Sequence, residues 1–302
     1  MQLFIDCLPC LLRQALEAAR IASTDEATQA QIMDEALPVL TRHETFATAP
    51  ELAQAIHEIV QRHAGQTDPY AQIKMRDMQA ALRLEPFLTG FVDAGTDRLS
   101  RALKVAATGN VMDSALYANL DIAACVEEEL SKPVAQFELG AFEAGLAGAK
   151  TVLIVGDNAG EAVFDKVLAR ELAKTHEVVF AVRGRPIIND ATAADARFVG
   201  MDTYATILST GCPAPGAVLE SCDDAFRTVF EQADLVISKG QGNFEALSDA
   251  PRPLFFLLKA KCAKVAQELG VEVGDFVFVA GPLMPTPLSG SQGIHRSFQG
   301  LP

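Results

Sequence analysis

Short polar stretches of the 302-residue chain fall where a β-strand would end and a helix begin. The first, Gly156-Asp157-Asn158-Ala159-Gly160-Glu161, follows the β-branched run Thr151 to Val155. It sets a carboxylate beside an amide oxygen, with glycines that permit a tight turn. Hard oxygen donors suit Mg²⁺ or Mn²⁺, and the open amides of a following helix suit a phosphate. An Asx N-cap would use the same residues. A second turn, Asn189-Asp190-Ala191-Thr192, again precedes a helix. Acidic turns on one sheet edge repel each other unless positive charge lies between them, and a divalent ion is the simplest source. Asp157, Asn158 and Asp190 are therefore the expected metal ligands.

Further stretches supply the other parts of a phosphate site. Ser209-Thr210-Gly211, ahead of Cys212 and two prolines, has the composition of a backbone nest or of a plain turn. Lys239-Gly240-Gln241-Gly242-Asn243 puts an ammonium where a transferring phosphoryl group develops charge, with Asn243 as a further contact. Lys259-Ala260-Lys261-Cys262 is a second basic cluster. In the first half, Gly109-Asn110-Val111-Met112-Asp113 interrupts a helical pattern. If that loop faces the sheet edge, Asn110 orients substrate and Asp113 positions water or takes a proton. Cys7-x-x-Cys10 has no second pair of ligands to close a zinc site and follows no thioredoxin-like strand, so it reads first as packed thiols, with metal or redox work as the alternatives. The five histidines lie outside these turns, which argues against a Ser-His-Asp hydrolase or a zinc peptidase.

The elements that must carry these residues divide the chain. Residues 1–148 read as a helical domain, with apolar positions at helical spacing such as Leu52, Ile56, Ile59 and Val60. Thr48 and Pro50 mark a helix start and Gly65 a helix end. Residues 149–302 read as an α/β domain with an irregular C-terminal tail from Pro282. Its strands are expected at Thr151–Val155, Glu177–Val182, Tyr204–Leu208, Asp234–Ser238, Pro253–Leu258 and Asp275–Val279. The expected fold is thus α/β, a Rossmann-like, mostly parallel sheet behind an N-terminal helical region. Neither a GxGxxG nor a P-loop fingerprint stands at a strand end, which weakens dinucleotide and nucleotide readings. The net charge of -14 disfavours nucleic-acid and anionic-membrane partners and leaves small molecules. With no leader-like opening, no membrane-length apolar run and only six cysteines, a cytoplasmic protein with reduced thiols is expected.

Taken together and in order, the CxxC, Asp68-Pro69-Tyr70, Gly109-Asn110-x-x-Asp113, Gly156 to Glu161, Asn189 to Thr192, Lys239 to Asn243 and Lys259 to Cys262 resemble the damage-control phosphatase family, in its prokaryotic CxxC-bearing subfamily. The resemblance implies a metal-dependent phosphatase of small phosphorylated metabolites, including damaged or side-product phosphates. It carries metal binding to Asp157, Asn158 and Asp190, and phosphate contact to Lys239. Competing readings are an S-adenosylmethionine-dependent methyltransferase, which would need a glycine-rich loop, and a non-catalytic metal- or metabolite-binding protein. The physiological metal stays open, because Co²⁺ or Ni²⁺ can bind such ligands more tightly than Mg²⁺ or Mn²⁺.

Overall fold

The computed structural model describes residues 1–110 and 122–281. Asp113 and the tail from Pro282 lie outside the described residues. Helices α1 (Cys7–Ala22), α2 (Glu26–Thr41), α3 (Ala49–Ala64), α4 (Ala71–Asp93), α5 (Arg98–Thr108) and α6 (Ile122–Ser131) come first. Then follow β1 (Gln136–Phe137), α7 (Leu139–Leu146), β2 (Thr151–Val155), α8 (Ala162–Leu172), β3 (Glu177–Val182), α9 (Ala193–Phe198) and β4 (Thr206–Ser209). The remainder is α10 (Asp224–Gln232), β5 (Leu235–Lys239), α11 (Gly240–Leu247), β6 (Leu254–Lys259), α12 (Ala263–Leu269) and β7 (Phe276–Gly281).

The sheet order is β1-β7-β6-β5-β2-β3-β4. β6, β5, β2, β3 and β4 run parallel, whereas β7 is antiparallel to β6 and parallel to β1. The α/β expectation holds, and β2 and β3 fall on their expected bounds. The other strands sit one or two residues later, and the short β1 had no counterpart in the sequence reading. Both faces of the sheet are covered, so its strands read as continuous apolar runs. Along β2, Val152 and Ile154 join a core with α4, α5 and α8, while Leu153 and Val155 join another with α10, α11 and α12.

The helical first half is shared between cores. Helices α1 to α3 enclose their own, around Ala15, Ile32, Leu52, Ile56 and Val60. By contrast, α4 and α5 lie on α8 and belong to the sheet's core. Helix α3 starts and stops as its sequence requires. Thr48 Oγ1 accepts from the Glu51 amide, Glu51 Oε2 accepts from the Thr48 amide at 2.8 Å, and Gly65 ends the helix at φ 62°. That places Ala49, Pro50 and Ala53 of α3, with Leu11 and Gln14 of α1, opposite the carboxyl edge of the sheet.

Candidate active site

In an open parallel sheet, ligands bind beyond the strand ends where the order reverses. Here that point lies between β2, which leads to β3 and β4 on one side, and β5 on the other. The backbone locks the two acidic turns together at this point. The Ala159 amide donates to Asn189 O and the Ala191 amide to Asp157 O, both at 2.8 Å, so Asn158 and Asp190 pair as a two-residue bridge. Ile188, just before them, holds φ at 46°, a left-handed conformation that costs a β-branched residue free energy. Across the cleft, Gly240 has φ 78°, and a Cβ there would stand 2.0 Å from Asp157 Oδ2. Only glycine lets the end of β5 approach that carboxylate.

The side chains form a buried charge network. Arg183, 1 % exposed, donates from Nε to Asp190 Oδ2 at 2.5 Å, from Nη1 to Asn243 Oδ1 at 3.0 Å and from Nη2 to Asp157 Oδ1 at 3.4 Å. Lys239 Nζ donates to Asp165 Oδ1 at 2.6 Å, Ala106 O at 2.9 Å and Glu161 Oε2 at 3.4 Å. Glu161 Oε1 in turn accepts from Asn110 Nδ2 at 2.8 Å and Asn158 Nδ2 at 3.1 Å. Four buried carboxylates thus face two buried cations. Burial and the charges of Asp190 and Glu161 push the Asp157 carboxyl well above the ordinary range, against the pull of Arg183. Burial also carries Asp165 up to about 6, although Lys239 opposes it.

A cavity of about 340 Å³ opens at this edge, lined by Asp157, Asn158, Asp190, Gln241, Glu245 and Lys261 among others. Among the described residues no three His, Cys, Asp or Glu side chains form a ready metal cluster. The donor set here differs, being two carboxylates and an amide. It fits a hard divalent ion, and the carboxylate surplus beside it is what such an ion would offset.

Residues 3–277 match the damage-control phosphatase ARMT1-like domain. The chain belongs to this family. A relative from Archaeoglobus fulgidus named as a damage-control phosphatase is 35% identical over 280 residues, covering 90% of this chain and 96% of its own. An uncharacterized protein of Methanocaldococcus jannaschii is 31% identical, covering 91% and 94% respectively. The crystal structure of a DUF89 family protein from Pyrococcus horikoshii superposes with a TM-score of 0.83 at 29% identity, covering 92% of this chain and 98% of that one. Membership of the damage-control phosphatase family supports a phosphatase, and hence hydrolase, role.

Within this family member, the three expected metal ligands converge on the cavity and the other expected residues divide. Lys239 is off the cavity wall: 1 % exposed, its ammonium is engaged by Asp165, Glu161 and Ala106 O. Burial would lower its pKa, but those carboxylates raise it, so it stays charged. Asn243 is a bolt between strand ends, donating to Lys239 O at 2.7 Å and Gly156 O at 2.9 Å while accepting from Arg183 and the Ala217 amide. Asn110 reaches the site through Glu161. Ser209 and Thr210 cap their own turn, accepting from the amides of Gly211 at 3.1 Å and Cys212 at 3.2 Å, and with Gly211 they do not line the cavity. Arg183, Glu161 and Asp165 escaped the sequence reading as site residues. For Arg183 a partial signal was present: a cation directly follows the apolar strand Glu177–Val182, and a cation buried at a strand end needs anions.

Proposed function

We propose that the protein is a cytoplasmic, metal-dependent phosphomonoesterase of small phosphorylated metabolites. The observation that carries this is the buried surplus of carboxylates over cations at the cavity, with Asp157, Asn158 and Asp190 on its wall. Asp157, Asn158 and Asp190 hold a divalent ion, Mg²⁺ or Mn²⁺ by ligand hardness. When bound, the ion supplies charge for a phosphoryl oxygen and acidifies a water. Glu161 accepts a hydrogen bond from the Asn158 amide nitrogen and so leaves the Asn158 carbonyl oxygen for the ligand role. Arg183 fixes the two aspartates in place, and Lys239 pairs with Glu161 and Asp165 behind the cavity wall, so its part is indirect. Lys261 is the cation on the cavity wall and meets phosphate oxygens. Asp113 is assigned to proton transfer from its sequence motif. A cavity of about 340 Å³ is at the small end of ligand sites, which suits a small metabolite. All six cysteines are free, which suits a reducing compartment.

The test is phosphate release by metal-stripped protein from phosphorylated sugars, nucleotides and cofactor fragments, with Mg²⁺, Mn²⁺, Co²⁺ or Ni²⁺ added back. Release that needs added metal and disappears in Asp157→Ala supports the assignment. No release from any substrate despite measured metal binding would overturn it in favour of a binding protein.

A further inference from the structure

The CxxC motif plays no part in the phosphatase reading, yet the structure sets it beside the phosphatase cavity. Cys7 and Cys10 are the first and fourth residues of α1, and with Leu11 and Gln14 they form one helical stripe. That stripe walls a second cavity of about 440 Å³, with Cys262, the residue before α12, across from it. Leu11, Gln14, Ala49, Gln241 and Glu245 line both cavities. The Gln14 side-chain oxygen is buried there with no hydrogen-bond partner.

We propose that Cys7 and Cys10 are a reversible disulfide site, oxidised by a small-molecule disulfide, and that closing it displaces the wall shared with the phosphatase cavity. Residues three apart on a helix hold their Cβ atoms about 5–6 Å apart, and a disulfide needs about 4 Å, so the first turn must tighten by about 1–2 Å. The preceding Asp6 makes no side-chain cap bond to that turn, which is held by backbone bonds from the Cys7 and Leu8 amides to Phe4 O and Ile5 O at 3.0 Å. Cys10 is exposed and reacts first, whereas Cys7 is half-buried. Burial, with the charge of Glu245, raises the Cys7 thiol above its ordinary range, which suits a second-step thiol held in reserve.

The exchange balances. The Cys10 thiolate attacks one sulfur of the oxidant, forming a mixed disulfide and expelling one thiolate. Cys7, losing its proton to solvent, then attacks the Cys10 sulfur and expels the second. Two protein thiols become one disulfide, and the oxidant is reduced to two thiols. Leu11 lies one turn beyond Cys7 and Gln14 one turn beyond Cys10, so the tightening reaches residues that face Asp157.

The full-length protein is incubated with oxidised glutathione, quenched by alkylation and mapped by mass spectrometry. The expected product has lost two hydrogens, carries a Cys7–Cys10 bond, leaves Cys262 alkylatable and reverts with dithiothreitol. Cys7→Ser should stop at a glutathione adduct on Cys10, and Cys262→Ser should oxidise like wild type. A bond from either residue to Cys262, or a wild-type reaction that stops at the adduct, would overturn the site. For the coupling, the KM for a phosphorylated substrate should rise several-fold on oxidation and recover on reduction, with Cys10→Ser unresponsive. An unchanged KM in fully oxidised protein would overturn the coupling alone. The mapping requires no catalysis, so it stands whether or not the phosphatase assignment does.

Discussion

Helix α8 has a charge cluster at each end, and the two are built to opposite rules. At its C-terminal end Glu171 accepts from Arg98 and Arg170 at 2.8 Å and also meets Lys174, so cations outnumber the buried carboxylate. Burial would raise the Glu171 carboxyl, but the bonds from Arg98 and Lys174 overcome it and push the group down to about 2. At the N-terminal end Glu161 and Asp165 share the single ammonium of Lys239, and Asp157 and Asp190 share Arg183. There the carboxyls of Asp157 and Asp165 are pushed up. A satisfied cluster holds the fold together, and the acid-rich one is where the proposed divalent ion would sit. Having both on one eleven-residue helix separates structural from functional charge within a single element.

The widest gap between the two ends should be in turnover. Asp190→Asn keeps the shape of a ligand and removes its charge, and it should lower metal-activated phosphate release by on the order of 100-fold or more, beyond the loss usual for residues that only orient ligands. Glu171→Gln, assayed in parallel, should leave the rate within about twofold. Equal losses at both ends would break the distinction.

Next comes Glu161→Ala, which removes the acceptor that orients Asn158 and Asn110. Calorimetric titration should show metal affinity reduced about 10–100-fold, with activity following.

Stability sharpens the comparison further, because the two ends should respond with opposite signs. Asp157→Asn relieves repulsion and should stabilise the metal-free protein at neutral pH. Glu171→Gln should destabilise it by about 1–3 kcal/mol. The group with a raised folded pKa confers stability below its unfolded pKa and loses it as pH rises, so the Asp157→Asn gain should vanish in acid. Glu171, with a depressed folded pKa, stabilises above its unfolded value of about 4.5 and loses this as pH falls toward 2, so its deficit should vanish there too. Urea melts of metal-free protein across pH 2 to 7 would show the two variants converging on wild type.

The smallest effect is expected at Ser209→Ala. Its hydroxyl accepts only a local amide bond off the cavity wall, so the rate should change less than about twofold. A larger loss would return the turn after β4 to the site.

The sequence made the acidic turns legible because a strand-to-helix turn exposes its chemistry locally. Asp157, Asn158 and Asp190 needed only the knowledge that parallel strand ends converge. The partners of Lys239 were hidden for the opposite reason: Asp165 lies 74 positions away in sequence and looks like an ordinary first-turn acid of α8. Strand bounds were readable where apolar runs end abruptly, as at Gly156. The two-residue β1 has no periodicity to detect, and the reversed direction of β7 is written in no composition, since parallel and antiparallel buried strands use the same residues.

That reversed strand bears on how the protein is made. β7 lies between β6 and β1, so the Gln136–Phe137 segment, synthesised near the middle of the chain, has no sheet neighbour until Phe276–Gly281 emerges from the ribosome. The ladder β4-β3-β2-β5 needs nothing beyond Lys239 and can form earlier. A nascent chain would therefore assemble the strands that carry Asp157 and Asp190 first and close the far side of the sheet last, leaving the edge of β6 unpaired in the interval, which is where aggregation would begin.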